Sequence, residues 1–212
     1  MKTRILPASD LKSLRYAIET LQSGGIVAFP TDTVYGLGAM AFDETAVRRI
    51  YTAKDRPIEK AIPVLLGDVE DIDKVTMNVS GEAKSLARHF WPGPLTLVVP
   101  KHPEIPEVVS ATNSVGVRVP DHPVTRELLR ATGPLAVTSA NLSGMNSPVS
   151  AQEVFDQLDG RIALILDGGR TRIGVSSTVV DCLGNSPIIL RQGSITMEQI
   201  EACIRDLPEI TF

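Results

Sequence analysis

Phe29–Gly38 reads FPTDTVYGLG, and an apolar run, Gly25-Ile26-Val27-Ala28-Phe29, leads straight into it. The run is short, β-branched and bounded by glycine, the pattern of a buried strand. Pro30 then interrupts any ladder, because proline has no N–H to donate. Thr31, Asp32, Thr33 and Tyr35 follow, closed off by Gly36 and Gly38. Hydroxyls and a carboxylate at the end of a core strand, with glycines holding the backbone open, describe the wall of a polar pocket. Ligands of α/β sheets bind at the carboxyl ends of strands. Asp and Thr are also ordinary turn residues, so composition leaves a pocket wall and a plain turn both open.

Outward from this stretch, helices and strands interleave. Leu11, Leu14, Ala17, Ile18 and Leu21 fall at helical spacing, with Ser9 or Asp10 as N-cap and Gly24-Gly25 as the stop. Glu44–Lys54, Gly81–Phe90, Thr125–Ala131, Ala151–Leu158 and Thr196–Arg205 read as further helices. Strands are expected at Ile62–Leu66, Leu95–Val99, Val115–Val119, Leu135–Thr138, Ala163–Leu166, Ser177–Val180 and Ile188–Arg191. No repeat or long polar linker divides them. The expectation is one α/β domain over residues 1–212, a twisted, mixed, open sheet with flanking helices. Its core would run from about residue 8 to 195, with a C-terminal helix at 196–206.

The 212 residues are 43% hydrophobic and 22% charged, which are globular values, and only 4% aromatic, so the core must be aliphatic. A formal charge of −4 argues against a general nucleic-acid binder, while a local basic cleft remains compatible with it. Cys182 and Cys203 have no metal-like spacing. No apolar run approaches the ~18 residues of a membrane span, and the N-terminus lacks a signal-peptide pattern. A reducing cytoplasm fits these features.

Three further features carry chemistry. Lys54 and Arg56 flank one residue ahead of Pro57; lysine as a point charge and arginine as a planar fork suit a polyphosphate. Arg48, Arg49 and Lys60 lie near in sequence, so a solvated charge cluster is the other reading. Ser139-Ala140-Asn141 ends an apolar strand with polar groups able to bind phosphate oxygens or a base edge, and Asn141 suits a helix cap equally well. Arg118 alternates with Val117 and Val119, so it faces away from them and needs a partner: a substrate carboxylate, or a buried Asp or Glu. No P-loop and no GxGxxG fingerprint is present, so a nucleotide would be held by separated side chains. Gly168-Gly169-Arg170 through Gly174 reads as a loop, either covering a ligand or merely connecting.

PTDTVYGLG resembles the signature of the YrdC/Sua5 family, the threonylcarbamoyl-AMP synthases of tRNA modification. Lys54-Asp55-Arg56-Pro57, Trp91–Thr96 (WPGPLT), Gly116–Pro120 (GVRVP), Ser139–Gly144 (SANLSG), Ser177–Asp181 (STVVD) and Leu190–Gly193 (LRQG) follow in the family's order, over nearly the whole chain. The resemblance implies a YrdC/RibB-like fold and condensation of L-threonine, bicarbonate and ATP to threonylcarbamoyl-adenylate plus pyrophosphate, a nucleotidyl transfer with Mg²⁺ brought in by ATP. By the same resemblance Lys54, Arg56, Ser139 and Asn141 match a KxR…SxN set for ATP, with Lys54 and Arg56 catalytic, and Arg191 lies near the phosphates. Thr33, Tyr35, Arg118, Thr138 and Ser177 are the implied threonine ligands, and no protein metal site is implied. One departure stands out: Pro63, Val64 and Leu65 occupy the strand where some members carry a histidine. The implied partners are small molecules, with transient contact to tRNA or to the threonylcarbamoyl transferase machinery, no membrane, and a monomer or homodimer. The chain resembles the short form, without the extra C-terminal domain of longer members. An RNA-binding module and a YciO-like relative are the alternatives on the same fold.

Overall fold

In the computed structural model of the chain, residues 2–184 and 186–205 are described. They build ten strands: β1 (Arg4–Pro7), β2 (Val27–Phe29), β3 (Gly36–Met40), β4 (Val64–Leu65), β5 (Leu95–Pro100), β6 (Ser114–Arg118), β7 (Leu135–Ser139), β8 (Leu164–Asp167), β9 (Thr178–Asp181) and β10 (Ile188–Arg191). The helices are α1 (Leu11–Gln22), α2 (Glu44–Lys54), α3 (Gly81–Phe90), α4 (Pro123–Thr132), α5 (Ala151–Leu158) and α6 (Met197–Arg205), with a 3₁₀ segment at Val69–Lys74. Residue 206 of the expected C-terminal helix lies outside the described residues. All ten strands join one mixed sheet in the order β1-β8-β2-β3-β7-β4-β6-β5-β9-β10, the expected single-sheet α/β architecture.

The opening stretch is a β-hairpin rather than a strand followed by open coil. Phe29 pairs with Gly36, Ala28 with Leu37 and Val27 with Gly38, so residues 30–35 are its loop. The two glycines therefore sit inside a strand, which the sequence reading missed. A Cβ at Gly36 would lie 2.7 Å from Val137 Cγ1, and one at Gly38 2.8 Å from Phe29 Cε1. Glycine here makes room for neighbouring core side chains rather than loosening the backbone.

Cores lie on both faces of the sheet. One gathers Ala28, Leu37, Val64, Leu97, Val117 and Ile165 against residues of α2, α3, α5 and α6. The other packs Val27, Phe29, Leu135, Val137, Leu164 and Leu166 under Leu14, Ala17 and Leu21 of α1 and Leu128 and Leu129 of α4. Asp10 caps α1, accepting from the N–H groups of Lys12 and Ser13. Among the described residues the second core takes nothing from β5, β6, β9 or β10. The second core thus stops short of these four strands, and the site lies over them.

Candidate functional site

The part of the face beyond the second core is the floor of a pocket of ≈ 360 Å³, made by Pro63, Thr96, Val98, Gly116 and Val179. The hairpin loop contributes Thr31, Thr33, Val34 and Tyr35 to the wall, and the Ser139 end of β7 stands beside it. Arg56, Arg118, Ser176, Ser177 and Arg191 complete the rim. The lining holds three guanidinium groups and, among the described residues, no carboxylate. The volume falls in the range of small-molecule sites, roughly 300–1,000 Å³.

Arg118 is set by strand alternation. Val115 and Val117 join the core, so Arg118, the next residue after Val117 on β6, is directed by the alternating pleat and its own bonds toward the pocket. Its Nε donates to Gly93 O at 2.9 Å, Nη1 to Thr33 Oγ1 at 3.0 Å and Nη2 to Asp32 Oδ1 at 2.5 Å. The partner left open by the sequence is thus Asp32, yet two of the five N–H groups have no partner among the described residues and remain for a ligand. Gly93 belongs to the Trp91–Pro94 turn, whose carbonyl orients the arginine. Burial pulls this guanidinium below its usual value, and Asp32 opposes that pull; it stays charged.

The hydroxyls beside it have a defined proton order. Thr31 Oγ1 donates to Val34 O at 2.6 Å, so the 2.9 Å contact between the two threonines is donated by Thr33. Thr33 also accepts from Arg118, which leaves it only an acceptor lone pair for a ligand. Across the pocket Ser177 Oγ bonds Thr96 Oγ1 at 2.8 Å, and Arg191 reaches Ser177 through both its carbonyl, at 2.9 Å, and its hydroxyl, at 3.1 Å. Arg56 is braced by its own loop, donating to Lys60 O at 3.2 Å and Ala61 O at 2.9 Å. Asp55, at φ 51°, turns α2 into that loop, a left-handed conformation that costs a non-glycine residue about 1 kcal/mol. Burial lowers both Arg56 and Arg191 from their ordinary values.

Most residues singled out from the sequence meet here: Thr33, Tyr35, Arg56, Arg118, Thr138, Ser139, Ser177 and Arg191 all line the pocket. Lys54 and Asn141 are not among its lining residues. Lys54 is 1% exposed and its Nζ donates to the carbonyls of Ser139 and Asn141, tying α2 to the end of β7. Burial, with the charge of Arg56 second, draws its pKa to about 7, so it is a buried strut here rather than a mobile point charge. Asn141 closes the 141–145 turn, donating from Nδ2 to Leu142 O and Met145 O at 2.8 Å. Tyr35 is fully buried, and its hydroxyl bonds Gly169 O at 2.7 Å and accepts from Gly168 N at 3.1 Å. The sequence reading passed over Thr96 and Ser176. Thr96 was findable by the reasoning used for Arg118, since Leu95 and Leu97 flank it as core positions. The Gly168–Ser176 loop is pinned by Ile173 N to Asp32 O at 3.0 Å and Gly174 N to Thr33 O at 2.9 Å.

The family model for Sua5, YciO and YrdC proteins, described as "Telomere recombination", matches residues 19–193. The chain belongs to the Sua5/YciO/YrdC family. Within it, a threonylcarbamoyl-AMP synthase of Bacillus subtilis (strain 168) is 48% identical over 191 residues, covering 89% of this chain and 55% of the relative. The crystal structure of Pyrococcus abyssi Sua5 complexed with L-threonine matches with a TM-score of 0.92 at 42% identity, over 95% of this chain and 61% of that one. Escherichia coli YciO matches with a TM-score of 0.83 at 25% identity, over 93% and 99% of the two chains. The chain thus spans little more than half the length of the B. subtilis relative, and its fold is that of both solved structures. No described helix is long and apolar enough to cross a membrane.

Proposed function

We propose that this Sua5/YciO/YrdC chain condenses L-threonine, bicarbonate and ATP to threonylcarbamoyl-adenylate and pyrophosphate, a nucleotidyl transfer serving tRNA modification. The observation that carries the reading is a small pocket rimmed by three arginines and lined by no carboxylate among the described residues. Such a site is built for a ligand with more than one anionic group. The names of the B. subtilis and P. abyssi relatives support the choice of reaction.

In this reading the spare N–H groups of Arg118 take the threonine carboxylate. Thr33, able only to accept, takes an N–H of the amine, and Thr138 and Ser177 border the side chain. Bicarbonate takes up a proton and loses water to give CO₂; the amine adds to it, giving a carbamate and returning the proton. A carbamate oxygen attacks the α-phosphorus of ATP, the bond from that phosphorus to the bridging oxygen breaks, and pyrophosphate leaves. Arg56, Arg191 and Ser139 face the phosphates and offset charge developing there, while Lys54 acts one step behind by holding the Ser139–Asn141 segment and Asn141 by closing the turn that follows. Alignment of this kind supplies roughly 7–11 kcal/mol in well-ordered cases. Among the described residues the pocket offers no carboxylate for a metal, so Mg²⁺ would be brought by the nucleotide and would supply charge neutralisation at the phosphates.

The test is pyrophosphate release by purified protein with ATP, bicarbonate and L-threonine, with Arg56→Ala alongside. Threonine-dependent release is expected in the wild type and a loss of about 100-fold in the variant, the scale of removing one transition-state donor. Release that ignores threonine, or none at all, overturns the proposal.

A further inference from the structure

Asp32 stands outside the pocket, yet it touches the one arginine whose geometry the proposed threonine site requires. Its side chain is 1% exposed and that of Arg118 is 7% exposed. Its Oδ1 accepts from Arg118 Nη2 at 2.5 Å and from the backbone N–H of Asp121 at 3.2 Å. Its Oδ2 is buried with no hydrogen-bond partner among the described residues. A buried carboxylate with one oxygen left unsatisfied is expensive. Charge neutralisation alone would be met at least as well by the usual two-oxygen fork with arginine. One-oxygen pairing instead grips a single Nη and leaves N–H groups of the guanidinium unspent.

We propose that Asp32 is a positioning residue: it holds the Arg118 guanidinium, against Gly93 O and Thr33 Oγ1, so that its two remaining donors meet an amino-acid carboxylate in the pocket. This rests on the threonine-site reading above. A long arginine side chain carries several rotatable bonds, and three fixed partners on three different nitrogens remove that freedom before a ligand arrives. The same residue fixes the adjoining loop through its backbone, Ile173 N to Asp32 O at 3.0 Å. The brace and the wall of the pocket are therefore tied together through one residue.

The experiment compares L-threonine with 1-aminopropan-2-ol, the same molecule lacking the carboxylate, in wild type, Asp32→Asn, Arg118→Lys and the double variant. The readout is the ratio of kcat/KM for the two amines, with KM for ATP measured beside it. Asp32→Asn is expected to shrink that ratio about 10–100-fold, the range seen when a group that orients a ligand-holding side chain is removed. The ATP KM should stay put, and Asp32→Asn should add little on top of Arg118→Lys, because it acts through the same fork. An unchanged ratio in Asp32→Asn, or a full additional loss in the double variant, overturns the role of Asp32. A tighter threonine KM in Asp32→Asn overturns it too, since Asp32 would then be a counter-charge that weakens the site. If Asp32→Asn fails to fold, Asp32→Glu keeps the charge but displaces the fork by one methylene, and the same ratio must fall at constant ATP KM; a retained ratio refutes the proposal. A wild type that uses no threonine sinks the underlying functional reading instead, which separates the two failures.

Discussion

Replacing Tyr35 by Phe removes one oxygen and decides between two uses of this residue. By resemblance Tyr35 is a threonine ligand; in the structure its hydroxyl donates to Gly169 O at 2.7 Å, accepts from Gly168 N at 3.1 Å and lies 3.4 Å from Asp167 Oδ1. Two good hydrogen bonds are lost in the variant, each with a net value of about 0.5–1.5 kcal/mol. Gly168 and Gly169 are exposed, so water replaces part of the loss, leaving a destabilisation of about 1–2 kcal/mol. For a chain of this size that is a fall in Tm of about 2–8 °C. The pH profile carries the same signature. Burial raises the phenol from 10 to about 12, so the fold favours its neutral form. That contribution is present in full below pH 10 and is lost as pH rises through 12. Calorimetric melts of wild type and Tyr35→Phe should therefore converge over that window, while the threonine KM changes little. An unchanged Tm with a threonine KM raised roughly tenfold, worth about 1.4 kcal/mol of binding, would refute the scaffold role and restore the ligand role.

Two more substitutions probe how the site is held. A Cβ at Gly193 would lie 2.4 Å from both Ser176 O and Thr178 N, so Gly193→Ala must push back the backbone that carries Ser177; a loss of about 1–3 kcal/mol in urea unfolding is expected, together with weaker pyrophosphate release. Lys54 has a pKa lowered from 10.5 to about 7 by burial, so the unfolded chain binds more protons there and wild-type stability should rise with pH across that interval. Lys54→Met lacks the group, and its melting profile should miss that rise; a parallel profile would mean the amine is not buried in the way described.

Where sequence was enough, the signal was local and repetitive. The flanking of Arg118 by Val117 and Val119 put the arginine opposite those valines, and α1 was given by its spacing, with Asp10, one of the two caps offered, as its N-cap. β3 was missed because Gly36 and Gly38 carry no propensity for a strand; what makes them strand residues is the bulk of Phe29 and Val137 on either side, a tertiary fact. β1 was missed because its four residues pair only with β8, about 160 positions away. The same limit explains the site. That Arg118 needs a partner follows from its neighbours, but that Asp32 supplies it across 86 positions does not. Lys54 shows the converse: its proximity to Arg56 in sequence suggested one shared surface, and with one αL residue between them Lys54 bonds the end of β7 while Arg56 bonds its own loop.

The stretch of sheet face beyond the second core gives the pocket its character. A sheet face without a helix over it normally exposes large hydrophobes and invites association. Here the floor positions on the strands are Thr96, Val98, Gly116 and Val179, small side chains that lay the backbone of β5, β6 and β9 close to the pocket. A Cβ on Gly116 would already press Thr96 Cγ2 at 3.1 Å, so the floor has no slack for a bulkier residue. A flat, weakly apolar floor next to a rim of arginines suits a ligand with one planar, uncharged end and one anionic end. Substituting Val98 by a large aromatic would fill the floor without touching the arginines. In the proposed reading that change should raise the KM for ATP and leave the discrimination between threonine and its decarboxylated analogue intact, the reverse of what Asp32→Asn does. Opposite selectivity effects from two walls of one pocket would be hard to produce by general loosening of the fold, because loosening moves both together.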